Sequence, residues 1–195
     1  MKNKLFVSMA VVVILILISI LSFKGVAVSG ASLEAVRNYH KQGKVAEVIK
    51  EANEYLKSDP KNTEALIILG ENYAKKSDFI SSEKTLKKAI DIQPKNSWAV
   101  RALANTYNGL LGISVTSRDK DKYGRLAKTE IEKALTISAD DPWVNRDAAG
   151  IYYMLNDKEK ATQAIEKALK LIPEDNYARN LYKNIQSMPE KKKLR

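Results

Sequence analysis

The chain has no cysteine, which excludes disulfide frameworks, thiolate metal sites, cysteine nucleophiles and a lipid attached through cysteine. Its one histidine, His40, rules out a histidine-rich metal centre and a histidine-based triad elsewhere, and in a polar Tyr-His-Lys-Gln stretch it reads as a surface residue. No glycine-rich phosphate loop is present: Gly43-Lys44 lacks both the upstream glycine and the following Ser or Thr. Acidic residues alternate with lysines, as from Glu159 to Lys167, in the manner of solvated helix faces rather than convergent catalytic groups. The expectation is a protein without enzymatic activity, cofactor or metal. Only 5 prolines and 8 glycines interrupt 195 residues, and the body of the chain is rich in Ala, Leu, Lys and Glu, so the expected fold is all-α.

The formal charge is +10, but part of it is local. Lys2, Lys4 and Lys24 flank an apolar run, and Lys191, Lys192, Lys193 and Arg195 form a basic tail from 188 to 195. The body mixes both signs, without the one-sided basic face that nucleic acid requires, so no nucleic-acid partner is expected. A tail-borne attraction to anionic lipid or nucleic acid stays open as a third reading, and it predicts binding that collapses with salt.

From Leu5 to Phe23 no residue is charged, and fourteen of the nineteen are Leu, Ile, Val or Phe. A helix of that length spans about 28 Å, close to the hydrocarbon thickness of a bilayer. Residues 1–28 are therefore expected to form a single N-terminal transmembrane anchor. Cleavage near Ser29-Gly30-Ala31 is the alternative; against it, the apolar run exceeds the core of about 7 to 15 residues usual in signal peptides. Lys2 and Lys4 before the run and Lys24 after it place the N-terminus in the cytoplasm and the remainder outside, across the inner (plasma) membrane, in the periplasm or its equivalent.

Beyond this segment the sequence repeats. Asp59-Pro60-Lys61-Asn62 recurs thirty-four residues later as Gln93-Pro94-Lys95-Asn96. Between the prolines lie Leu66, Leu69-Gly70, Tyr73, Ser82, Leu86 and Ala89; the next unit has Val100, Leu103-Ala104, Tyr107, Ala127, Ile131 and Ala134. A further unit has Ala148-Ala149, Tyr152, Ala161, Ile165 and Ala168. These types and spacings resemble the tetratricopeptide repeat over about residues 29–187. Units are expected at about 29–60 (degenerate), 63–94, 97–139 and 142–173, with a capping helix at 176–187. Small residues sit where two helix axes approach to about 8–10 Å, and stacking of the hairpins closes the core. The third unit carries about eleven extra residues, near 111–123. Thr116-Ser117-Arg118-Asp119 reads as a capping box that starts its second helix near Ser117 and makes it project, as a lip, a second docking site or an idle loop.

The resemblance implies a right-handed solenoid of helical hairpins whose first helices line a concave groove holding a partner peptide or helix. By phase, the inward residues are Glu64, Ile67, Ile68, Glu71 and Lys75 in the first complete unit, and Trp98, Arg101, Asn105 and Asn108 in the next. Trp143, Arg146, Asp147, Tyr153 and Met154 follow, and Asn180 and Asn184 extend the row into the cap. Each tryptophan precedes an arginine by three residues, and both types are enriched where binding energy concentrates. The competing reading packs Trp98 and Trp143 against the preceding hairpin. A receptor for chaperone tails would carry a carboxylate clamp of Lys, Asn and Arg; here Ile67 and Glu71, or Asp147, Tyr177 and Leu181, stand at the required places. The implied role is a membrane-anchored scaffold for a protein or peptide, of the kind that serves secretion, envelope assembly or cytochrome maturation. A secreted or cytosol-facing adaptor that self-assembles is the alternative.

Overall fold

A computed structural model describes residues 30–189. The expected membrane segment, Leu5 to Phe23, and the basic end of the tail lie outside the described residues. Among those described, no helix is long and apolar enough to cross a membrane.

The described chain is helical and has no strand. Its elements are α1 (Leu33–Lys41), α2 (Val45–Ser58), α3 (Thr63–Lys75), α4 (Phe79–Ile92), α5 (Ser97–Ile113), α6 (Ser117–Ile137), α7 (Pro142–Met154), α8 (Lys158–Leu171) and α9 (Asn176–Gln186). Local chemistry sets the ends. Asn62, Asn96, Asp141 and Asp175 each cap a first helix by accepting a backbone N–H three residues on, from Ala65, Ala99, Val144 and Ala178. Three hairpins close on left-handed residues, Gly43 (φ 69°), Ser77 (φ 63°) and Asn156 (φ 55°). In each, the following N–H reaches back to a tyrosine carbonyl near the end of the first helix: Lys44 to Tyr39, Asp78 to Tyr73 and Asp157 to Tyr152. This pattern satisfies carbonyls that the helix end would otherwise strand. Pro60, Pro94 and Pro173 lie just past the second helices, where their missing N–H costs nothing.

Consecutive helices pack antiparallel, and the hairpins stack. First helices also touch their counterparts along the row α1, α3, α5, α7, α9, whereas the described second helices make no such contacts with one another. A stack that is tight on one side and open on the other must curve, with the first helices inside. Gly70 permits the close approach of α3 and α4: a Cβ there would stand 2.5 Å from Leu86 Cγ. Tyr107 and Tyr152 are buried beside such contacts. Ser82 is buried too, 2.8 Å from Thr106 Oγ1. Because the Thr106 hydroxyl donates to Ala102 O, the Ser82 hydroxyl supplies the proton between the two.

The extra residues of the third hairpin enter as helix, not as loop. α5 and α6 have 17 and 21 residues against 13 and 14 for α3 and α4, and only Ser114, Val115 and Thr116 join them. The Thr116 hydroxyl accepts from the Asp119 N–H, but the reciprocal half differs from a capping box: it donates to Asp119 Oδ2 at 2.7 Å. A carboxylate one methylene shorter than Glu meets the hydroxyl rather than the cap's backbone N–H.

Candidate functional site: the concave face

The first helices place one polar row along the inner wall. At its start, Arg37 of α1 forms a two-bonded ion pair with Glu64 of α3, at 2.7 and 2.6 Å. Next comes Glu71, whose Oε1 accepts from the Trp98 indole N–H at 2.7 Å and lies 3.6 Å from Arg101. Arg101 reaches across to Asp147 Oδ2 at 3.1 Å, and Asn105 donates to the same oxygen at 2.6 Å. Arg146 takes the other oxygen of Asp147 with two donors, at 3.1 and 3.0 Å, and its third nitrogen meets Asp175 at 3.2 Å. A relay of alternating charge thus ties α3, α5, α7 and α9 together. Asp147 is its centre, only 8% exposed and saturated on both oxygens. Burial disfavours a charged Arg146, yet Asp147 and Asp175 outweigh it and raise the guanidinium's pKa.

A cleft of about 510 Å³ opens along this row, lined among others by His40, Glu71, Lys75, Phe79, Arg101 and Asn105. Two aromatic rings flank Arg146, one of its lining residues. Trp143 is 46% exposed and Tyr177 is 59% exposed, and the Arg146 guanidinium lies 4.8 and 5.3 Å from their ring centres. Trp98, Trp143 and Tyr177 occupy the same place in successive first helices, one residue after each helix start.

The structure brings Glu71, Trp98, Arg101, Asn105, Trp143 and Arg146 into one surface. Several other expected residues depart from it. Ile67 and Ile68 are buried, at 0% and 2% exposure, not on the wall; Ile68 packs with Val36 and Val48 of the first hairpin. α1 covers the Ile68 side of α3, so that position faces a neighbour, whereas Ile67 joins the main core. Tyr153 turns toward the main core and is half-buried. Asn108 is half-buried, its carbonyl oxygen shut from solvent without a donor among the described residues. Asn180 and Asn184 are exposed on α9, three and seven residues after Tyr177, and stand apart from the relay. Trp98 packs its ring against the core, as the competing reading has it, and its N–H is taken up by Glu71.

His40, expected on the surface, lies at the end of the cleft. Asn72 Nδ2 sits 2.9 Å from His40 Nδ1 and 2.7 Å from Ile68 O. The Ile68 carbonyl fixes the amide with its nitrogen toward both, so His40 Nδ1 accepts and Nε2 carries the proton, 3.7 Å from Glu71 Oε2. Burial holds the imidazole pKa below its ordinary value and the Lys75 charge adds to this, while Glu71 opposes it. The period itself signals this placement: shifted back by thirty-four residues, Glu71, Ala74 and Lys75 fall on Arg37, His40 and Lys41.

Comparison with known proteins agrees with the geometry. The class is a curved stack of helical hairpins. A profile described as tetratricopeptide repeat matches residues 63–96 and 147–175, and the chain contains tetratricopeptide repeats. It is 30% identical over 152 residues to interferon-induced protein with tetratricopeptide repeats 2 of Cricetulus griseus, covering 75% of this chain but only 28% of that protein's length. Among solved structures it resembles TTC0263, a thermophilic tetratricopeptide protein of Thermus thermophilus, with 18% identity, 78% of each chain covered and a TM-score of 0.73. It also resembles the first such domain of Spaghetti (RPAP3) bound to the HSP90 peptide SRMEEVD, at 18% identity, covering 64% of this chain and 90% of that one, with a TM-score of 0.53. At these identities the structural likeness speaks for the fold.

Proposed function

We propose that this chain is a membrane-anchored scaffold that holds a segment of a partner protein in its concave groove. The observation carrying this reading is the aromatic and arginine cluster beside the cleft: Trp143 and Tyr177 half-exposed and rigidified by Arg146, next to a wall on which Glu71, Arg101, Arg146 and Asp147 are already paired. Rigid aromatic surface is where truncation commonly costs binding about 2 kcal/mol or more. The apolar run Leu5 to Phe23 supports the anchor, and the lysines around it support a repeat domain on the extracytoplasmic side.

The wall's own pairing bears on the partner's chemistry. An incoming chain-terminal carboxylate would have to displace Asp147 from Arg101 and Arg146, so this reading favours an apolar or mixed-charge segment over an acidic tail. Crosslinking and capture from membranes test the proposal, with Trp143→Ala as the variant. It should lower capture by about tenfold or more while leaving the circular dichroism and unfolding midpoint in place. Equal capture by both proteins would reject the groove. Protease protection of the repeats in intact spheroplasts, lost on lysis, would reject an extracytoplasmic placement.

A further inference from the structure

The elongated third hairpin builds a second surface, away from the polar row of the groove. The end of α5 and the joining segment present Ile113 and Val115, 64% and 90% exposed. The first turns of α6 then carry Arg118, Lys120, Lys122, Arg125 and Lys128 against only Asp119 and Asp121. Among the described residues no carboxylate forms an ion pair with any of these five cations, and Asp119 is already engaged by the Thr116 hydroxyl. Between α6 and the turn joining α7 to α8 lies a cleft of about 360 Å³, walled by Lys120, Arg125 and Lys128 on one side and by Leu155 and Asp157 on the other. Gly124 forms part of the wall, with Leu155 packed where its Cβ would stand.

We propose that this hairpin extension is a docking site for an acidic, leucine-bearing segment of a second protein. Three features choose that occupant. Lys120, Arg125 and Lys128, exposed along the cleft and without an ion pair among the described residues, call for carboxylates on the partner. The exposed Ile113 and Val115 beside them call for an apolar side chain. The cleft is recessed and walled partly by Tyr152 and Leu155, which suits one apolar side chain entering between walls better than a continuous array of phosphates. A planar lipid surface or a nucleic-acid backbone would meet only the tip. The groove and this site share no residue, so one scaffold can hold two proteins at once.

The test uses the full chain in non-ionic detergent and a fluorescein-labelled peptide of glutamate pairs separated by leucine, read by fluorescence polarisation. The peptide should bind at low ionic strength, and the triple variant Lys120→Glu, Arg125→Glu, Lys128→Glu should weaken it by about tenfold or more. A triple glutamine variant, free of new like-charge repulsion along α6, should weaken it in the same direction. Trp143→Ala should leave it unchanged, which separates this site from the groove. No binding, or binding indifferent to both triple variants, would overturn the proposal. So would capture of a labelled single-stranded oligonucleotide, or of phosphatidylglycerol-doped micelles, that depends on the three cations while the peptide is ignored.

Discussion

Asp147 offers the sharpest test of how the concave face is held. Replacing it with alanine removes the acceptor for Arg101, Asn105 and Arg146 together and leaves two guanidinium groups facing each other across α5 and α7. Breaking a fully buried pair costs about 3–5 kcal/mol, because the stranded charge stays desolvated. Here Arg101 and Arg146 are 16% and 22% exposed, so each can regain some water, and Arg146 keeps Asp175. The expected loss is therefore about 2–3 kcal/mol. For a domain of this size each kcal/mol lowers the melting temperature by about 2–4 °C, giving a shift of about 4–12 °C. Urea unfolding followed by circular dichroism measures the loss. A double-mutant cycle with Arg101→Ala isolates the pair, and a coupling of about 1 kcal/mol or more is expected. A loss below about 0.5 kcal/mol would mean the relay is a solvated surface arrangement and not what aligns the inner helices. Arg101→Ala alone should also destabilise, since it removes the one positive charge between Glu71 and Asp147; it is thus a poor probe of binding, whereas Trp143→Ala is a clean one.

Other consequences are equally direct. Gly70→Ala should destabilise by about 1–2 kcal/mol in urea despite alanine's better helix propensity, because its methyl meets Leu86; Gly112→Ala, with open space around it, should stabilise by about 0.5 kcal/mol. Ser77→Gly should raise the urea midpoint, by about 0.5 kcal/mol in stability, as the left-handed backbone at φ 63° no longer opposes a Cβ. His40, the only histidine, gives one set of imidazole ring-proton resonances in an untagged protein, and its midpoint should fall below that of an unfolded control. Since the folded pKa is the lower one, stability is fully present above the ordinary histidine pKa of about 6.5 and declines as pH falls from there through the folded value. His40→Gln should flatten that decline. A midpoint above the control's would contradict the assigned Asn72 hydrogen bond.

Periodicity was enough to read the hairpins, because each boundary is decided within a few residues: a capping Asn or Asp, a left-handed turn residue, a proline after the second helix. The start of α6 at Ser117 was legible for the same reason, through Thr116. The row Glu71, Trp98, Arg101, Asn105, Trp143, Arg146 also followed from phase, since a helix carries every residue at a fixed angle to its neighbours. What phase could not supply was the neighbour. Ile67 holds the place in α3 that Arg101 and Arg146 hold in α5 and α7, yet it is buried, because an apolar side chain there joins the main core that continues into α5. His40 looked solvent-bound among polar residues until α3 supplied Asn72 and Glu71 beside it. The charge relay joins residues up to 46 positions apart, and only the curvature of the stack brings Arg101 and Asp147 within 3.1 Å. Sequence by itself determined the elements and the face each side chain leaves by, which are short-range properties of the backbone. Tertiary structure alone decided which of those faces meets water, which meets a helix and which charges find one another, because pairing across a curved stack depends on distances no local pattern encodes.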